Sequence, residues 1–243
     1  MKRISFILLV FVFLGLYLFT YDSNSSFLDK EIKQTLFTSV SKPSWKIEMQ
    51  NTKDSFELHS LTATQEENKG VFLLDEPIFR SYWENKFRST ASSVYAILDL
   101  GEEKLLMTNN VHLTITEKDK KIDLFSETIN FDMRNKNFRS KNQVQMKSTS
   151  FRLNSNGFDL FQNSNGVNEL IFSKAAFEED NAAKNSFYGE ADLIIYKSPS
   201  DTFTLKGSAE IKFESTLISA EEIEFNFKTK KIISSKRSKI IKS

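Results

Sequence analysis

Short runs in which every second residue is apolar recur along this chain at nearly even spacing, and that pattern leaves few folds open. Val111, Leu113 and Ile115 share one side of VHLTITEK, with His112, Thr114 and Thr116 on the other. Ile129, Phe131 and Met133 do the same in TINFDMRN, and Ala191, Leu193 and Ile195 in ADLIIY. Ala209, Ile211 and Phe213 repeat the arrangement in SAEIKFES, then Ile223, Phe225 and Phe227 in EIEFNFKT. Successive side chains of a strand point to opposite faces, so each run predicts a strand with one apolar and one wetted face. No segment after residue 50 carries a helical period, and the chain reads as all-β.

The strands belong to a repeat. A polar residue or two followed by alternating apolar positions occurs at Pro77, Val111, Val144, Ala175, Ala209 and Ser238, at intervals of 29 to 34 residues. Spacings of about 20–50 residues mark repeat architectures. Turns are expected at Asn135-Lys136 and Thr229-Lys230. The unit from Phe151 to Glu178 fits least well, since NSNG at 154–157 and again at 163–166 makes it read as loop-rich. Hairpins with one apolar face cannot bury that face alone, so two sheets must face each other. A filled sandwich and an open, elongated jelly roll both satisfy this, and the alternation does not choose between them. Small inward residues (Ala91, Ala191, Ala209, Ala220) among large ones (Phe131, Phe213, Phe225) lean toward the open form.

The first twenty-one residues are of another kind. Lys2 and Arg3 precede a run from Ile4 to Tyr21 broken only by Ser5 and Thr20. As a helix, roughly 18 residues cover about 27 Å, close to the thickness of a bilayer's hydrocarbon core. The run ends on Leu18-Phe19-Thr20-Tyr21, large residues where a signal peptidase needs small ones, so an uncleaved anchor is favoured over a cleaved signal. The basic start keeps the amino terminus in the cytoplasm and sends the rest across. The expected organisation is a transmembrane helix over 1–21, a polar connector over 22–44 and a β-domain over 45–243. Leu28, Ile32 and Leu36 could form a short amphipathic turn in the connector.

Chemistry is sparsely provided for. With 33 basic and 32 acidic residues the net charge is +1, so no global field attracts nucleic acid. There is no cysteine, which removes disulfides and thiolate ligands, and His59 and His112 are the sole histidines. Acidic neighbours such as Glu66-Glu67 and Glu221-Glu222 point apart on a strand or lie solvated in a turn. No catalytic residue, metal site or cofactor is expected. The basic stretch Lys228 to Lys242 has two readings. Its lysines either guard a terminal edge strand against indiscriminate pairing or meet an anionic partner.

Several stretches together resemble a known family. They are Leu73-Leu74-Asp75-Glu76-Pro77, then Phe87-Arg88-Ser89-Thr90-Ala91 leading to Tyr95, then Leu105 through Asn110-Val111-His112-Leu113. Ser126 to Asp132 ahead of Ser140 to Val144, and Ile218 to Phe225 before Thr229-Lys230-Lys231, continue the series. With the amino-terminal run, these are similar to the LptC/LptA (OstA-like) β-jelly-roll proteins of lipopolysaccharide export, on the anchored LptC side. The turn glycines typical of that family are mostly Asn, Lys or Asp here.

That resemblance implies an elongated open β-jelly roll of antiparallel hairpin repeats behind one transmembrane helix. It implies a non-enzymatic carrier of lipopolysaccharide or a related lipid, held at the cell inner membrane with its bulk in the periplasm. Such a carrier takes its cargo from the permease subunits of an ABC transporter and passes it to an LptA-like periplasmic protein. Acyl chains would lie against Val111, Leu113, Ile115, Ile129, Phe131, Val144, Met146, Ile211, Phe213 and Phe225. Ile218, Ile223, Phe225 and Phe227 would offer the partner an open edge strand. The competing reading is a non-enzymatic assembly scaffold of stacked hairpins, anchored in the same membrane.

Overall fold

The computed structural model describes residues 38–49, 53–65, 70–84, 86–117, 120–162, 168–179, 187–198 and 200–242. The apolar run at 4–21 and the turn expected at Leu28–Leu36 lie outside the described residues. Among those described, no helix is long and apolar enough to cross a membrane, and every regular element is a strand.

The strands follow the repeat. The first are β1 (Thr38–Ser41), β2 (Ser44–Glu48), β3 (Ser55–His59), β4 (Thr62–Gln65) and β5 (Val71–Asp75). Next come β6 (Ile78–Trp83), β7 (Lys86–Ser92), β8 (Tyr95–Asp99) and the long β9 (Lys104–Glu117) and β10 (Lys120–Asp132). After them are β11 (Asn137–Ser140), β12 (Val144–Lys147), β13 (Phe151–Ser155) and β14 (Phe158–Gln162). The chain ends in β15 (Asn168–Glu179), β16 (Tyr188–Lys197), β17 (Thr202–Phe213), β18 (Thr216–Asn226), β19 (Lys231–Lys236) and β20 (Lys239–Lys242). Among the described residues the sheet thus begins at Thr38, inside the stretch read as connector.

All pairings are antiparallel and they build two layers. The upper layer runs β1-β4-β5-β8-β9-β10-β11-β14-β15-β16-β17-β18-β19. The lower runs β2-β3-β6-β7-β9-β10-β12-β13-β15-β16-β17-β18-β20. Strands β9, β10 and β15 to β18 pass through both layers, and the others stop at a common bend. The result is a long folded sheet, creased along one side and open along the other, where the hairpin turns of each layer form a rim. This is the elongated antiparallel jelly roll.

Backbone conformation marks the crease. Lys42, Glu76, Asn109, Asn110, Lys174, Gly207, Ser208 and Arg237 have positive φ there, just ahead of the recurring apolar positions. Glu84, Glu103, Lys136, Asp201, Glu214 and Lys230 take positive φ at rim turns. The left-handed region is disfavoured for residues with a Cβ by about 1–2 kcal/mol, and here it accompanies the bends that re-aim the strands. Backbone hydrogen bonds beyond the strands then tie neighbours along the crease (Val94 to Asn109, Asn156 to Ser173) or along one rim (Met133 to Glu103, Phe227 to Asp201).

Two expectations are corrected. At 154–157 the unit from Phe151 is regular: β13 and β14 form its arms, and Asn156-Gly157 is the bend between them, bonded to Ser173, while the second NSNG at 163–166 lies outside the described residues. In ADLIIY the buried residues are Ala191, Ile194 and Tyr196, while Leu193 and Ile195 are only half-buried. The β16–β17 register shifts between Glu190 and Leu193, and a one-residue shift exchanges the faces of everything beyond it.

Candidate functional site

The space between the layers is the largest apolar feature of the described residues. Val111, Leu113, Ile115, Ile129, Phe131, Val144, Met146, Ile211 and Phe225 are all buried in it. Phe213 is the exception: it is 38% exposed near the carboxy-terminal end, beside Phe187. The space is filled rather than vacant, so the filled and open readings both hold in part. The roll is not closed by strands along its rims, but its interior is packed.

Rings do much of that packing, across the layers. Phe131 of the upper layer lies 5.1 Å from Phe56 and 4.7 Å from Phe79 of the lower, and 4.3 Å from Phe138 beside it. A second cluster joins lower Phe151, Phe177 and Phe187 to upper Tyr196, Phe203, Phe225 and Phe227, with Phe177 stacked on Phe203 at 4.5 Å and Phe187 on Phe225 at 4.3 Å. Tyr196, Phe151, Phe177 and Phe203 were not among the sequence candidates. Their signal was local alternation, plain in FRLNS around Phe151 and in TFTLKG around Phe203, whereas Tyr196 lies beyond a register shift of β16.

At the amino-terminal end the interior reaches the surface. Trp45 of β2 meets Phe72 of β5 across the layers, edge to face at 5.6 Å. They line an opening of about 300 Å³ together with Val40, Pro43 and Ala63. A larger, wetter trough of about 980 Å³ follows the crease, lined by residues such as Asn110, Glu127, Gln143, Asn154, Lys174 and Asp192. His112 stays on the wet face as expected, hydrogen-bonded to Asp123 at 2.8 Å and stacked on Phe125.

The long side opposite the crease is bridged by side chains. Lys136, at the upper turn after β10, pairs with Asp54, which precedes β3 in the lower layer. Its Nζ also lies 5.0 Å from the centre of the Trp83 ring. Asp54 accepts in addition from the backbone N–H of Glu84 at 2.9 Å. Lys120, at the lower start of β10, pairs with Asp201 of the upper β16–β17 turn at 2.6 Å and donates to the Ser198 carbonyl at 3.1 Å. The Tyr196 hydroxyl donates to the same Asp201 at 2.9 Å. Burial first, then the Asp201 charge, push that phenol far above its ordinary range, so it stays a donor. Lys230, in the upper turn after β18, pairs with Glu179 at the lower end of β15 at 2.8 Å and sits 3.7 Å from the centre of Phe227. The three lysine side chains are 23%, 39% and 31% exposed, against 66% and 81% for Arg134 and Arg237, which pair within one layer.

The edge expected at Ile218, Ile223, Phe225 and Phe227 is corrected. Strand β18 is internal, paired along Glu222–Asn226 with β19 and along Thr216–Ser219 with β20. Ile223, Phe225 and Phe227 are buried. The carboxy-terminal edges are β19 and β20, formed by the basic tail, with Ile232, Ile233, Ile240 and Ile241 exposed among its lysines. At the other end the edges among the described residues are β1 and β2.

A profile described as "Lipopolysaccharide-assembly, LptC-related" matches residues 6–171. A second, "LptA/(LptD N-terminal domain) LPS transport protein", matches residues 123–231. Their overlap covers β10 to β14, where both layers run on without a boundary. No curated protein gave a match. Among solved structures the chain is similar to LptH, the LptA homologous periplasmic component of the conserved lipopolysaccharide transport device from Pseudomonas aeruginosa. That similarity is 15% identity with a TM-score of 0.47, over 52% of this chain and 98% of that one. With one profile spanning more than half of its length, the chain belongs to the LptC-related lipopolysaccharide-assembly family.

Proposed function

We infer that the chain is a membrane-anchored carrier which takes lipopolysaccharide, by its lipid A acyl chains, from an inner-membrane ABC transporter and passes it to an LptA-like periplasmic jelly roll. The observation that carries this reading is the apolar interlayer space, continuous from the Trp45–Phe72 opening to Phe213 and bounded on its long open side by side chains alone. Each buried methylene of an acyl chain contributes about 0.8 kcal/mol, so several chains bind tightly once the layers part. Val111, Leu113, Ile115, Ile129, Phe131, Val144, Met146, Ile211, Phe213 and Phe225 then face the chains. Residues 1–21 hold the body at the membrane with the amino-terminal opening nearest to it. Strands β19 and β20 offer the outgoing edge, since an unpaired strand edge recruits another strand by main-chain hydrogen bonds.

A photo-crosslinking amino acid at Phe131, introduced into the full chain in cells, tests this reading. Carriage predicts adducts containing lipopolysaccharide. A fully packed interior also favours a second reading, the anchored scaffold of stacked hairpins. Protein-only products at Phe131, with no lipid adduct even while export is active, would establish the scaffold and remove the carrier.

A further inference from the structure

The three lysines that bridge the rims have an arrangement that a purely structural ion pair does not need. Each ammonium stands at the boundary of the apolar interior: Lys136 beside Trp83, Lys230 against Phe227, and Lys120 beside Asp201, to which the interior Tyr196 is bonded. Each is paired with a carboxylate from the opposite layer. An amphiphile with its apolar chains between the layers has its head group at this boundary, so an anionic head meets these ammoniums first.

We propose that Lys136, Lys120 and Lys230 form a row of binding sites for the phosphate groups of an amphiphile, and that Asp54, Asp201 and Glu179 are placeholders which phosphate displaces as the cargo enters between the rims. The proposal rests on the carrier reading and adds the route and the head-group chemistry. Exchange is favourable because both states satisfy the ammonium. A phosphate carries more charge and more acceptor oxygens than a carboxylate, whereas a lysine stripped of any partner at this depth is penalised. The released carboxylates turn to water, which their 9–28% side-chain exposure lets them reach by rotation at the rim. The pairs therefore keep the roll shut when empty and give way only to a ligand of like charge to their own acids.

Two probes and two triple variants test this in the full-length, detergent-solubilised protein. The probes are diphosphorylated lipid A and the same lipid with both phosphates removed. Lys136→Gln/Lys120→Gln/Lys230→Gln is expected to weaken the phosphorylated probe at least tenfold and to leave the other within about twofold. Asp54→Asn/Asp201→Asn/Glu179→Gln, which frees the lysines, is expected to tighten the phosphorylated probe several-fold, a direction that misfolding does not produce. Equal losses for both probes in the lysine variant, or no tightening in the acid variant, would overturn the proposal while leaving the carrier intact. Failure of the wild-type protein to bind either probe would overturn the carrier reading and this proposal with it.

Discussion

Replacing Phe131 with alanine measures how firmly the two layers are held together in the lipid-free protein. The side chain is wholly buried, and its ring meets three others, Phe56 at 5.1 Å, Phe79 at 4.7 Å and Phe138 at 4.3 Å. Truncating a buried phenylalanine costs about 3–5 kcal/mol, from lost transfer energy and the cavity left behind. Ring pairs add about 0.5–1.5 kcal/mol each beyond their area, so three of them place Phe131→Ala at the upper end, about 4–5 kcal/mol. Phe131→Leu keeps most of the apolar volume and should lose about 1–2 kcal/mol. Urea unfolding of the full chain in detergent, followed by tryptophan fluorescence, is the assay. Trp83 is a suitable reporter, since it lies 5.3 Å from Phe56 in the same cluster. With slopes of about 1–3 kcal/mol per molar urea, the alanine midpoint falls by about 2 M. A loss below about 1 kcal/mol at unchanged slope would refute the reasoning, because it would mean that the layers are already apart without lipid.

Three further outcomes are expected. Gly189→Ala places a Cβ 2.5 Å from the Phe177 ring, which is itself stacked on Phe203, so overpacking of about 1–3 kcal/mol should appear in the same unfolding assay; a neutral effect would mean that the ring is free to move. Burial raises the Asp123 carboxyl, but hydrogen bonds from Thr114, His112 and Lys121 outweigh it and hold the group below its ordinary range. A depressed folded value gives stability that is present above the unfolded pKa, near 4, and lost as pH falls through the folded one. Asp123→Asn should therefore flatten the decline in urea midpoint below about pH 4, and an unchanged decline would assign it to other groups. Ile233→Lys/Ile240→Lys on the carboxy-terminal edges should abolish end-to-end association with an LptA-like jelly roll in sedimentation, while stability moves by less than about 0.5 kcal/mol. Association at wild-type strength would show that these edges are not the docking surface.

Fold class was plain from local alternation, because burial on one face imposes a period of two wherever a strand runs straight. Val111, Leu113 and Ile115 lie inside as read. Alternation fails at bulges, which is why Leu193 and Ile195 were taken for Ile194 and Tyr196. It also says nothing of which turn of one layer meets which turn of the other. Lys136 and Lys230 were visible as turn residues, but their acids lie 82 and 51 positions away. The outer edge was legible as one of two readings of the lysines in Lys228 to Lys242, and not from alternation. Strands β19 and β20 are exposed throughout their described positions and owe their form to pairing with β18, so they carry no buried face to announce them.

The crease is not uniform, and that gives the molecule a direction. From β1 to β8 every strand stops there, at Lys42-Pro43, Ser60-Leu61, Glu76-Pro77 and Ser93-Val94, so upper and lower arms are joined by single non-strand links. From β15 to β18 four successive strands bend through it without interruption. A plate hinged by short links folds back easily, whereas one ribbed by continuous strands resists. The roll is therefore compliant at its amino-terminal end and stiff toward the far end, and hydrogen exchange should run fast to slow along the same axis. A guest admitted where the walls yield and held where they do not has its course set by the wall itself, before any partner pushes or pulls.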